Sequence, residues 1–177
     1  FANQKLYQYA RISTDADRRP WCLTVSFTHP HDPYVARRKY WDLYEGIAEL
    51  DPPVEDLGYA NQDPHSRRLI DACDSHKFDI TRETVRRARQ GYFANISYID
   101  DKVGDLLETL RTTRMLDNTI VLFTSDHGDM LGERGLWFKM SFFEGSARVP
   151  LMVAGPGVTP RLLNQPVSTR DINTTLA

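Results

Sequence analysis

The run Thr119-Ile120-Val121-Leu122-Phe123 passes without a break into Thr124-Ser125-Asp126-His127-Gly128-Asp129. A succession of apolar and β-branched residues reads as a buried strand. The abrupt change to a carboxylate, an imidazole and a glycine marks the carboxyl end of that strand. Open α/β sheets build their sites at such ends. The junction therefore asks for a sheet with polar chemistry at one edge, and it narrows the choice of fold more than any other segment.

The flanking segments extend the α/β reading. Thr81 is placed to cap a long helix, and Glu83 in its first turn suits the positive end of the helix dipole. Val85, Ala88, Tyr92, Ile96, Ile99, Val103, Leu106 and Leu110 step by threes and fours, which predicts one face buried against a sheet. Asp117-Asn118 turns the chain into the strand ending at Thr124. Pro150 to Ala154 and a helix near Thr169 repeat the helix-then-strand order. Upstream, Trp21 to Thr28 reads as a second buried strand, ended by the prolines of His29-Pro30-His31-Asp32-Pro33. A short amphipathic helix is expected over Ala36 to Tyr44. Residues 51–79 read as a loop-rich excursion with one short helix over Ser66 to Cys73. The expected fold is α/β, a mainly parallel sheet flanked by helices.

Asp126 and His127 can both ligate a metal, through an ionised carboxylate oxygen and a neutral imidazole nitrogen. By spacing alone, a turn aspartate and an exposed histidine explain them more readily. Gly128 would let the backbone approach the site. Asp129 could orient His127 or simply face solvent. Lys139 adds a positive charge able to hold an anion, and its alternative is an ordinary surface lysine. Glu144 and Arg148, four apart, form a candidate pair supporting the Lys139 loop. Together these residues suggest a metal and a cation around an anionic ester.

Composition excludes several alternatives. The 177 residues carry a net charge of −2 with both signs mixed along the chain, so no nucleic-acid partner is expected. The cluster Arg86-Arg87-Ala88-Arg89 reads as a solvated helix face. No apolar run is long enough for a bilayer, so no membrane partner is expected. The two cysteines, Cys22 and Cys73, read as free thiols in a reducing compartment, which points to a cytoplasmic location. No G-x-S-x-G, phosphate-binding loop or dinucleotide fingerprint is present.

Three sequence words, in order, carry a resemblance. They are His29-Pro30-His31-Asp32-Pro33-Tyr34, Ser125-Asp126-His127-Gly128-Asp129-Met130-Leu131-Gly132-Glu133, and Lys139-Met140-Ser141-Phe142-Phe143-Glu144-Gly145. The chain resembles the type I sulfatases of the alkaline phosphatase superfamily, most nearly the choline-sulfatase branch. The resemblance implies a sulfuric ester hydrolase cleaving choline sulfate. A phosphonate or phosphate monoester hydrolase of the same superfamily is the alternative, and a non-catalytic fragment is another. It implies Asp126 and His127 as metal ligands, for Ca²⁺ first and Mg²⁺ or Mn²⁺ otherwise. It implies Lys139 and His31 as the catalytic residues that hold the sulfate and help the alkoxide leave. Tyr34 would contact substrate or pack, and His29 would be a loop or core residue. Trp137, Phe138, Phe142 and Phe143 are available to a quaternary ammonium. The family nucleophile is a formylglycine made from Cys or Ser in C-x-P-x-R. Neither Cys22 nor Cys73 has that context, so the nucleophile is expected outside this chain. Residues 1–177 accordingly read as an interior fragment of a sulfatase catalytic domain, inactive alone, with a homo-oligomer as one expected form of the full-length enzyme.

Overall fold

The structure is a computed structural model that describes residues 1–12, 20–47 and 50–176. Its longest element is helix α4, Arg82–Thr112, with α1 (Ala2–Ile12) and α2 (Arg38–Trp41) packed on it. Helix α4 starts as the sequence predicts. The Thr81 hydroxyl accepts from the Thr84 N–H at 3.2 Å, and Glu83 lies in the first turn. Its end was not legible in the sequence. Arg114 takes a left-handed conformation, φ 57°, while Arg114 N–H donates to Arg111 O and Met115 N–H to Leu110 O. This satisfies the last carbonyls and folds Met115 back onto Leu110.

That contact seeds the larger core. Leu6, Leu110 and Met115 are buried, with Leu106, Leu107, Trp21, Leu23 and Val121 packed around them. Of the predicted stripe, Ile99 and Leu110 are buried, Ile96 is 41 % exposed and the other residues are half-buried; the face packs mainly on α1 and α2 and not on a sheet as expected. Arg89 departs from the expected solvated face. Only 9 % of it is exposed; its guanidinium lies 5.7 Å from the Phe93 ring centre and donates weakly to Leu131 O. It occupies the side of α4 on which the loop after Asp129 rests. Arg86 pairs instead with Asp51 at 2.9 Å, and Arg87 is exposed.

Strand β1, Val121–Thr124, runs antiparallel to β2, Leu151–Ala154, with Val121 opposite Ala154 and Thr124 opposite Leu151. The α/β order matches expectation, whereas the ladder among the described residues is antiparallel. A parallel return needs a long crossover, usually a helix. Between β1 and β2 the chain forms only short helical turns, a 3-10 turn at Glu133–Gly135 and α5, the single turn Glu144–Ala147, so the chain doubles back. Trp21 to Thr28 is extended without a ladder partner among the described residues. Trp21, Leu23, Val25 and Phe27 are half-buried and the residues between them exposed, so it presents one face to the core rather than being buried on both.

Within residues 51–79, Asp63 caps helix α3, Pro64–Ala72, accepting from His65 and Ser66 amides. This segment docks on the loop that carries Lys139. Ile70 joins Met130 and Leu136 in a second core cluster, and the Gln62 amide donates to Arg134 O. Helix α6, Asp171–Leu176, fulfils the expectation of a helix near Thr169. No described helix is long and apolar enough to cross a membrane.

Candidate active site

Asp126 and His127 sit immediately beyond β1, held by local polar contacts. The Ser125 hydroxyl donates to His127 O at 2.8 Å, and Asp126 Oδ1 accepts the His127 amide at 3.0 Å. The His127 ring places Nδ1 2.8 Å from Gly128 O. A carbonyl only accepts, so Nδ1 carries the proton and Nε2 keeps its lone pair outward. Partial desolvation would raise the Asp126 carboxyl, but backbone donors, His127 and the Ser125 hydroxyl outweigh it and hold the group below the usual carboxylate range. It is therefore ionised at neutral pH, and its side chain is 86 % exposed.

Asp126 Oδ2 and His127 Nε2 are 3.6 Å apart. Two donors at right angles around a cation with 2.3–2.6 Å bonds lie roughly 3.3–3.7 Å apart, so the pair fits one edge of a Ca²⁺-sized shell. Among the described residues no group of three His, Cys, Asp or Glu side chains converges on a metal position. The pair would thus be part of a shell.

His31 follows the extended Trp21–Thr28 segment and faces the same place. Its ring centre is 6.5 Å from that of His127. Its Nδ1 lies 2.9 Å from both Asp32 O and Asp32 Oδ1, which makes Nδ1 the protonated nitrogen. Its Nε2 accepts from the Lys139 ammonium at 2.8 Å. All four predicted site residues, His31, Asp126, His127 and Lys139, are therefore brought together from three distant stretches of chain. Asp32 was not singled out in the sequence, although its position beside His31 was a signal.

Other expectations are redirected. Neither oxygen of Asp129 bonds His127; they take the Leu131 and Phe138 amides at 3.0 and 3.1 Å and the Tyr34 hydroxyl at 2.8 Å. Tyr34 packs against Tyr92 and Trp137, and burial followed by the Asp129 charge pushes its phenol well up, so it stays a donor. His29 packs against Tyr98. Glu144 and Arg148 do pair, at 3.4 Å, but both are over three-quarters exposed and contribute little. Trp137 is taken by Tyr34 and Phe143 by Arg134 and the Met130 cluster, whereas Phe142 is 98 % exposed. Gly128 permits close approach: its amide donates to Ser146 O at 2.8 Å. Cys22 and Cys73 are free thiols, and burial pushes Cys73 up.

A carboxylate and an imidazole at a strand end are thus faced by a lysine and a second histidine. The sequence matches the Sulfatase family over residues 2–177, and the chain belongs to that family. It is 66 % identical over 176 residues to a choline-sulfatase of Rhizobium meliloti (strain 1021), an alignment covering 99 % of this chain and 34 % of that protein. It is 39 % identical over 153 residues to an iduronate 2-sulfatase of Mus musculus, covering 81 % and 28 %. The chain thus spans about a third of the length of the relatives it matches. A phosphonate monoester hydrolase from Silicibacter pomeroyi shares the fold, with a TM-score of 0.72 at 24 % identity over 87 % of this chain and 33 % of that one.

Proposed function

We propose that this chain supplies part of the active site of a sulfuric ester hydrolase that cleaves choline sulfate to choline and sulfate. The observation that carries the reading is the convergence of His31, Lys139, Asp126 and His127. The 66 % identity to a choline-sulfatase supports the substrate.

Asp126 Oδ2 and His127 Nε2 would hold a divalent cation, with Ca²⁺ favoured by their spacing over the smaller Mg²⁺. When bound, such an ion polarises the sulfate and offsets its negative charge. Without substrate, Lys139 donates to His31 Nε2. A sulfate oxygen placed between them replaces that one contact by two, provided Nε2 is protonated. The Asp32 carboxylate lies 2.9 Å from Nδ1 and holds the ring in this orientation. Lys139 then holds the sulfate as a compact charge, and the Nε2 proton passes to the leaving alkoxide. Phe142, fully outside the core, is free to lie against the quaternary ammonium of choline. The formylglycine nucleophile would come from residues beyond these 177.

The test is kcat/KM of the full-length protein on choline sulfate, a neutral alkyl sulfate and a phosphonate monoester. Preference for choline sulfate is the expected result. Equal turnover of the neutral sulfate removes the choline assignment, and preference for the phosphonate moves the protein to that class. The 177-residue chain alone is expected to give no turnover, since no nucleophile of this type is encoded in it.

A further inference from the structure

Lys139 stands between two residues with left-handed backbones, Phe138 at φ 63° and Met140 at φ 75°. Neither is glycine. Such conformations persist only where the surroundings over-determine them, and they gather at functional positions. The surroundings here are specific. On the amino side, the Phe138 amide donates to Asp129 Oδ1 at 3.1 Å, and Phe138 O accepts the Met130 amide at 2.7 Å. On the carboxyl side, His65 Nε2 meets Met140 O at 2.9 Å, so the 51–79 excursion braces the same loop.

Asp129 has a second connection. Its other oxygen takes the hydroxyl of Tyr34, three residues beyond His31, at 2.8 Å. Its own position is two residues beyond His127. One carboxylate thereby ties together the loop of His31, the loop of Asp126 and His127, and the backbone immediately before Lys139. Tyr34 is itself fixed, because a Cβ on Gly91 would lie 2.2 Å from Tyr34 O; the bare α4 backbone lets that loop sit against the helix.

We propose that Asp129 is a positioning residue whose carboxylate sets the Lys139 ammonium opposite His31. Its catalytic consequence rests on the hydrolase reading above; its structural consequence does not. Asp129 touches no substrate in this account and acts through Lys139.

The test is a double-mutant cycle in the full-length protein, with a structural arm beside it. Asp129→Ala should lower kcat/KM for the sulfate ester about 100-fold, as expected when a reacting group is displaced by around an ångström. In a Lys139→Ala background the same change should cost less than about twofold, because the positioned group is already gone. Asp129→Asn keeps an oxygen for the two amides and should recover most of the loss. If Asp129→Ala does not fold, Tyr34→Phe, which removes one hydrogen bond of the three, replaces it with an expected loss of about tenfold and the same dependence on Lys139. An equal cost in both backgrounds would overturn the proposal. The structural arm is a crystal structure of Asp129→Ala, or of Tyr34→Phe in its place, in which Lys139 Nζ should have left His31 Nε2. An unaltered 2.8 Å contact overturns the positioning role even if the wild type proves not to be a sulfatase.

Discussion

Replacing Gly128 by alanine puts a single methyl where no room exists. Its Cβ would lie 2.1 Å from Gly145 O and 3.2 Å from the carbonyl carbon behind it. The obstacle is backbone, so no side chain can rotate away. Ordinary contact requires the Asp126–Asp129 loop and α5 to separate by more than about 1 Å. That movement also stretches the 2.8 Å bond from the Gly128 amide to Ser146 O. Overpacking of this kind costs about 1–3 kcal/mol, and weakening a half-buried hydrogen bond adds about 1 kcal/mol. For a domain of this size, the sum corresponds to a fall in Tm of roughly 5–15 °C. Gly104 provides the control. It is exposed in α4, and a Cβ there meets nothing within 4 Å. Gly104→Ala should stabilise by about 0.5–1 kcal/mol, as glycine is a poor helix former. Thermal unfolding of both variants followed by circular dichroism reads the two signs side by side. A Gly128→Ala protein melting at or above the wild type would refute the packing argument.

Two other outcomes are expected. His127→Ala should weaken Ca²⁺ binding by the full-length protein at least about tenfold in calorimetric titration, because it removes one of the two donors at the strand end; unchanged affinity would place the ion elsewhere. Asp51 is held at about 2, first by its hydrogen bond to Arg82 and then by Arg86, against partial desolvation. A carboxylate lowered by folding stabilises fully above its ordinary value near about 4 and loses that contribution as pH falls toward about 2. Asp51→Asn should therefore flatten the decline of the urea midpoint across that window, and a parallel decline in both proteins would contradict the ion pair's role.

What the sequence revealed was mostly local. The Thr81 cap, the Asp117-Asn118 turn and the change of character at Thr124 each depend on a few neighbouring residues, and each is found where expected. The proximity of the candidate residues was legible because they cluster in three short words, which the fold brings together. Strand direction was not legible, since it depends on which segment β1 pairs with rather than on β1. The end of α4 was hidden because an arginine, not the usual glycine, takes the left-handed position after it. Arg89 was misread because a charge among charges looks solvated until the loop that covers it is known. Asp129 belongs with these. Its place in the motif suggested His127 as its partner, while its actual partners lie 95 residues upstream and nine residues downstream.

The most direct test of the site is a crystal structure of the full-length protein with Ca²⁺ and bound sulfate. The account predicts the ion within bonding distance of an Asp126 carboxylate oxygen and His127 Nε2. It predicts a sulfate oxygen between Lys139 Nζ and His31 Nε2, in place of their direct contact. An ion bound away from Asp126 and His127, or a sulfate seated with Lys139 and His31 still bonded to each other, would contradict it.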